Sequence, residues 1–263
     1  MNLPPIRLFV AGALLALCCA ADAPPATRAA KVRIALAGDS TVTDSVGWGK
    51  GLAKCFTEDV QVINFSRSGR SSRSFIHEGA WQKVLDAKPD YVLIQFGHND
   101  SPGHPGDRET DPQTSYKKFM TQYVDDARSA GIKPVLVTSL SRRQWGADGK
   151  IHSTLVPYVE VVKQIAADKH VPLIDLHARS VELYEKLGQD AVRKLEPMKK
   201  PESATTTRTA SDAAAGAATT RPVVPDATHL NSRGSDVIGR VVAEGLAAAV
   251  PDLARYLREP MSR

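Results

Sequence analysis

The sequence predicts an α/β domain built on a five-stranded parallel sheet with helices on both faces, and three observations carry that reading. First, five short runs, Val32–Ala37, Val60–Phe65, Tyr91–Phe96, Pro134–Thr138 and Val171–Leu176, are rich in valine, isoleucine and leucine and largely apolar at consecutive positions. Strands covered on both faces read this way, because successive side chains point to opposite sides of the sheet. Second, helix-period patterns alternate with the runs, which implies parallel pairing through crossovers. Third, small and polar residues follow the runs at their carboxyl ends, where such sheets place their ligands.

The clearest helix is Thr114–Ala130. Tyr116, Phe119, Met120, Tyr123, Val124 and Ala127 form one apolar stripe, and Gly131 follows as a stop. Leu155–Ala167 repeats the pattern through Val159, Val162 and Ile165. A last helix over Ser232–Ala249 turns Val237, Ile238, Val241, Val242 and Leu246 inward. No internal repeat is present.

The chain has 263 residues, 42% hydrophobic and 24% charged, enough for one well-developed core. The net charge of +5 is too modest to require a nucleic-acid partner. Residues 1–30 read as an export signal and the mature N-terminal tail: Arg7 is basic, Leu8–Ala20 is apolar but too short to span a bilayer, and Ala21-Asp22-Ala23 offers small residues for cleavage. The expected location is therefore secreted or periplasmic. Cys18 and Cys19 leave a lipoprotein anchor as the alternative, and without lipidation no stable membrane partner is expected. Cys55 then remains alone, so no internal disulfide is expected and it reads as a small buried residue. The domain extends over 31–259. Within it, 196–224 is alanine, threonine, serine, proline and lysine with almost no large apolar side chain, and reads as a flexible low-complexity insertion. Nothing in the sequence sets an oligomeric state.

Four segments carry chemistry. Gly38-Asp39-Ser40-Thr41 follows the first run, where a sharp turn would aim the Ser40 hydroxyl into the cleft. Gly69, after the second run, either presents an unobstructed N–H to an oxyanion or is a turn glycine. After the third run comes Phe96-Gly97-His98-Asn99-Asp100; the Asn99 amide is a candidate second oxyanion donor, and His98 reads as a structural or hydrogen-bonding residue. In Asp226-Ala227-Thr228-His229 the spacing lets a carboxylate reach the imidazole of its own loop and leave the other nitrogen for a serine. A capping aspartate and a surface histidine are the alternative. His77, His98, His104, His152, His170 and His177 show no metal-ligand spacing, so no metal and no cofactor is expected.

Serine, glycine, asparagine and Asp-x-x-His in this order resemble the SGNH (GDSL-like) hydrolases over most of Val32–Leu246. The resemblance implies a flavodoxin-like three-layer α/β/α sandwich. It implies Ser40 as nucleophile, Asp226 and His229 completing a triad, and the Ser40 N–H, Gly69 and Asn99 as oxyanion hole. Within that superfamily the segments Gly69-Arg70-Ser71-Ser72-Arg73-Ser74-Phe75 and Ser141-Arg142-Arg143, with those above, are similar to rhamnogalacturonan acetylesterases. The expected partner is then an acetylated polysaccharide.

The arginines agree with an acidic polymer. Arg67, Arg70 and Arg73 follow the second run, and Arg142 and Arg143 follow the fourth with Trp145 close behind. Guanidinium groups pair with carboxylates and an indole stacks on a sugar ring, so Arg70, Arg73, Arg142, Arg143 and Trp145 are expected to contact galacturonate-rich substrate. The runner-up is a lipid-directed esterase or thioesterase with the same triad, which would need a long apolar groove.

Overall fold

In a computed structural model, residue 1 and residues 31–104, 106–197 and 226–259 are described. The export signal, Cys18, Cys19 and nearly all of the 196–224 insertion lie outside them.

The elements alternate as the sequence implies. They are β1 (Val32–Gly38), α1 (Gly49–Lys54), β2 (Val60–Asn64), α2 (Ser72–His77), α3 (Ala80–Asp86), β3 (Tyr91–Gln95), α4 (Lys117–Ser129), β4 (Lys133–Val137), α5 (Val156–Asp168), β5 (Leu173–Ile174), α6 (Leu176–Leu187), α7 (Gln189–Arg193) and α8 (Ser232–Ala249). All strand pairs are parallel, in the order β2-β1-β3-β4-β5. The order reverses between β1 and β3, so the two loops leaving these strands diverge and open a crevice there.

Side-chain alternation divides the core in two. Ile34, Leu36, Leu93, Val135 and Val137 face a layer that includes Leu52, Ile238, Val242 and Leu246, from α1 and α8. Ala35, Ala37, Val92, Ile94 and Leu136 face Phe75, Trp81, Met120, Tyr123 and Val162, from α2 to α5. This is the three-layer sandwich.

Local differences from expectation have physical reasons. β2 is only partly buried because it lies at the sheet edge. The fifth strand shrinks to two residues, since the carboxylate of Asp175 turns back to cap α6 by accepting the Ala178 N–H at 3.1 Å. The expected helix over 114–130 begins as a π turn at Pro112–Tyr116, capped by Asp111, and runs on as α4. Cys55 is buried and free.

Two packing details fix the loops that matter below. α1 and α8 touch backbone to backbone: a Cβ on Gly51 would sit 1.9 Å from the Ser235 carbonyl oxygen. Three buried tyrosines, Tyr116 and Tyr123 of the first apolar stripe and Tyr158 of α5, also donate hydrogen bonds. Tyr116 reaches the Phe96 carbonyl (3.0 Å), Tyr123 the Ser72 carbonyl (2.7 Å), and Tyr158 the carbonyls of Asp100 (3.0 Å) and Thr110 (2.9 Å). They bind the exit of β3 and the start of α2 to the helical layer.

Candidate active site

The turn after β1 is shaped by a buried chain of hydrogen bonds. Trp48 Nε1 donates to Gln95 Oε1 (3.0 Å), Gln95 Nε2 to Thr41 Oγ1 (2.6 Å), and Thr41 Oγ1 to Asp39 Oδ1 (2.7 Å). Asp39 Oδ1 also accepts the Thr41 N–H at 2.8 Å. All four residues are fully buried, so each missing partner would leave a polar group without water. Burial alone would raise the Asp39 pKa, but the facing His98 ring and the Thr41 bonds outweigh it and hold the carboxyl below its usual range. His98 is itself buried, with Nδ1 3.4 Å from Asp39 Oδ2; the two face each other without hydrogen-bond alignment. Its place beneath the turn fits the structural role expected of it.

The far end of the chain reaches the same crevice. The Leu230 N–H donates to the Val46 carbonyl at 2.8 Å, tying the loop before α8 to the segment after Ser40. Asn231 caps α8 by accepting the Gly234 N–H at 2.9 Å. Between these anchors and Asp226, the His229 ring spans two partners. Its Nε2 lies 2.8 Å from Ser40 Oγ and its Nδ1 2.9 Å from Asp226 Oδ2. Asp226 Oδ1 accepts the N–H groups of Thr228 and His229, each at 3.0 Å. Burial acts to raise the Asp226 pKa, yet the bonds from the His229 ring and from these two amides prevail and bring it down to about 2.

Gly69 and Asn99 lie in the loops that follow β2 and β3, the strands on either side of β1. Gly69 has φ of 77°, a left-handed backbone that an L side chain rarely adopts, and a Cβ there would approach an Arg108 guanidinium nitrogen at 3.6 Å. Asn99 is 7% exposed and donates through Nδ2 to the Arg70 carbonyl at 3.1 Å, which settles the orientation of its amide. Asp100, beneath it, is a residue for which sequence reasoning found no role. Its carboxylate accepts Ser72 Oγ (2.5 Å), Thr110 Oγ1 (2.8 Å), Gly97 N–H (3.1 Å) and Ser72 N–H (3.0 Å). Burial outweighs these bonds and pushes its pKa up to about 6.

The expected substrate-binding arginines fare unequally. Arg70 pairs with Glu78 at 2.9 Å and Arg73 with Asp107, both with partly exposed side chains. Arg142 is half-buried against neutral acceptors. Trp145 packs on the core and makes an antiparallel bridge to Ile151. Arg143 is a correction: its side chain is fully buried and paired with Glu196 at 3.0 Å, so it cannot meet a polymer. Glu196, expected as the first residue of a flexible insertion, is accordingly buried too. The sequence pattern missed it because one carboxylate in a polar stretch carries no sign of a distant partner.

Comparison with known proteins places this geometry in context. Residues 35–237 match the GDSL-like Lipase/Acylhydrolase family. The chain is 34% identical to the rhamnogalacturonan acetylesterase RhgT of Bacillus subtilis over 228 residues, 82% of this chain and 89% of that protein. Among solved structures it is similar to the acetylxylan esterase Axe2 of Geobacillus stearothermophilus, with TM-score 0.56 and 18% identity over 84% of this chain and 94% of that one. It is also similar to the Bacillus subtilis protein YxiM, with TM-score 0.60 and 22% identity; 86% of this chain matches, but it spans only 56% of that one. At these identities the two structures show the fold.

Proposed function

Because the chain belongs to the GDSL-like lipase/acylhydrolase family, and so is a carboxylic ester hydrolase, we propose that it removes O-acetyl groups from a plant-type polysaccharide, with acetylated rhamnogalacturonan as its substrate. The observation that carries this reading is the continuous Ser40–His229–Asp226 chain, 2.8 and 2.9 Å per link.

The residues take these roles. His229 Nε2 accepts the proton of Ser40 as Oγ attacks the acetyl carbonyl, and Asp226 holds the ring through Nδ1 and stabilises the imidazolium. The negative oxygen of the tetrahedral adduct is received by the N–H groups of Ser40 and Gly69 and by the Asn99 amide. His229 then returns the proton to the departing sugar oxygen. This leaves the acetyl group on Ser40, and water activated by the same imidazole releases acetate. Each turnover converts one ester and one water into an alcohol and acetic acid.

The size of the acyl group follows from what the site lacks. Among the described residues the strongly exposed large apolar side chains are Met1, Val156 and Leu187, and none belongs to the loops carrying Ser40, Gly69, Asn99 or His229. That distribution supports an acetyl group over a long acyl chain. A cleft of about 300 Å³ opens beside Gly69, lined by Arg70, Ser74, Glu78, Asp107 and Arg108. We assign it to the sugar next to the acetylated one, with Arg70 and Arg73 at its edge and Trp145 as a further contact. The export signal read from residues 1–30 would deliver the enzyme to such a polymer, and Cys18 or Cys19 would tether it if lipidated.

Acetate release from acetylated rhamnogalacturonan and from acetylated xylan tests the substrate, with Ser40→Ala as control. The pectic polymer should be preferred, and Ser40→Ala should lose about 10⁴-fold or more in kcat. Equal rates on both polymers would refute the pectic assignment. Faster turnover of p-nitrophenyl palmitate than of p-nitrophenyl acetate would favour the lipid reading instead.

A further inference from the structure

Arg142 and Arg143 follow one another just after β4, and their side chains run to different halves of the active site. Arg142 Nη2 donates to the His98 carbonyl (3.0 Å) and to Ser101 Oγ (3.1 Å), while Nη1 donates to Thr154 Oγ1 (2.8 Å). Ser101 Oγ in turn donates to the same His98 carbonyl at 2.8 Å, and the Ser101 N–H to the Gly97 carbonyl at 3.1 Å. The segment so held is the one that carries Asn99.

Arg143 holds the other half. Its backbone N–H donates to the Ala227 carbonyl at 2.8 Å, and Nη2 donates to the carbonyls of Asp226 (3.0 Å) and His229 (2.5 Å). Three of the four residues from Asp226 to His229 are therefore bonded to one arginine. Its Nε donates to Glu196 Oε1 at 3.0 Å, and its guanidinium lies 5.6 Å from the centre of the Tyr184 ring. Glu196 is anchored through its own carbonyl, which accepts Asn231 Nδ2 at 2.8 Å, and the Asn231 N–H bonds the Leu195 carbonyl at 2.9 Å.

A buried guanidinium–carboxylate pair is a poor source of stability, since desolvating both charges cancels most of their attraction. What it supplies is geometry. A planar fork of five N–H donors fixes several carbonyl oxygens relative to one another, which a lysine or an apolar residue cannot do. We propose that Arg142 and Arg143 are positioning residues of the ester-hydrolysing site: Arg142 fixes the Asn99 loop, and Arg143, locked by Glu196, fixes the Asp226–His229 loop, so that oxyanion donor and base are registered against a single strand exit. The inference rests on the proposed function but adds residues that touch neither substrate nor reacting atoms.

p-Nitrophenyl acetate tests it, because that ester carries no sugar and no charge for an arginine to recognise. Arg142→Met, Arg143→Met, Arg143→Lys and Glu196→Gln are compared with the wild type on this ester and on acetylated rhamnogalacturonan. Loop displacement of a fraction of an ångström should lower kcat about 10–100-fold on both substrates in the two methionine variants, with KM for the small ester within about twofold. The effects should also partition. Arg142→Met should add less than about threefold to Asn99→Ala, because both remove the same donor, whereas Arg143→Met should multiply with it. Wild-type kcat on p-nitrophenyl acetate, with loss confined to the polymer, would overturn the proposal and return Arg142 to substrate binding. If Arg143→Met does not fold, Arg143→Lys and Glu196→Gln decide that half: a folded protein with wild-type kcat in both overturns it. Ser40→Ala separates the two levels, since activity persisting there would sink the ester-hydrolysis assignment itself, independently of the arginines.

Discussion

Replacing Asn99 by alanine separates two consequences of one side chain. Asn99 is buried, and one of its amide hydrogens is committed to the Arg70 carbonyl at 3.1 Å. In the proposed mechanism the other serves the oxygen that becomes negative during attack by Ser40. Losing the first bond touches only the ground state; at about 1 kcal/mol it should lower Tm by about 2–4 °C in a domain of this size. Losing the second acts where charge develops. A preorganised donor in a water-poor site is worth about 3 kcal/mol to the transition state, and each 1.4 kcal/mol is about tenfold, so kcat should fall by roughly a hundredfold or more. KM should hardly move, because the acetyl oxygen of the bound ester is not yet an anion. Steady-state kinetics on p-nitrophenyl acetate, with Tm from calorimetry on the same samples, reads both effects. A kcat within about threefold of wild type, together with the expected drop in Tm, would make Asn99 a structural residue and refute the oxyanion argument.

Three further outcomes follow from the same geometry. Asp226→Asn should cost about 10³–10⁴-fold in kcat with little change in KM, because an amide N–H facing Nδ1 leaves the proton on Nε2, the wrong tautomer to accept from Ser40; since the carboxyl titrates at about 2, an acid limb of kcat/KM near neutrality should not be assigned to it. Asp100 carries a pKa raised from 3.8 to about 6, so its contribution to stability is full below the unfolded value of 3.8 and is lost as pH rises through 6; the stability of the wild type relative to Asp100→Asn, from urea denaturation, should fall by about 2 kcal/mol between pH 4 and pH 7. Gly51→Ala would set a Cβ 1.9 Å from a backbone oxygen of α8, forcing the two helices apart, and should destabilise by about 3 kcal/mol with a clear fall in Tm.

Much of the fold was legible because it rests on composition over short windows. Five apolar runs became five parallel strands, and α8 occupies Ser232–Ala249 as its apolar pattern implied. What periodicity could not convey was where a strand yields to a cap. At Asp175 one side chain bonds the Ala178 N–H and ends β5 after Ile174, although the apolar run continues to Leu176. Ser40 and His229, which meet at 2.8 Å, were recognisable for a different reason: one stands at a fixed offset from a strand exit and the other from a helix start, so topology alone brings them to one crevice.

The residues beneath them were not recognisable, and the reason is physical. Trp48, Gln95 and Asp100 act through hydrogen bonds to Gln95, Thr41 and Ser72, partners 28 to 54 positions away, and a tryptophan or glutamine in a core segment has no sequence signature distinguishing donor from filler. The arginines mislead in the opposite direction. A count of cations along the rim is a statement about residue type, whereas function depends on direction, and the direction of Arg143 is set by Glu196, 53 positions away. Once that pair forms, the guanidinium has no exposed face left to offer. The cationic character that suggested an acidic substrate is thereby divided: Arg70 and Arg73 keep a partly exposed side chain beside the cleft at Gly69, while Arg143 is wholly internal. If the proposed selectivity for a uronate-bearing polymer rests on Arg70 and Arg73, on the α2 side of the crevice, neutralising both should erase it in acetate-release assays on acetylated rhamnogalacturonan and xylan without touching turnover of p-nitrophenyl acetate.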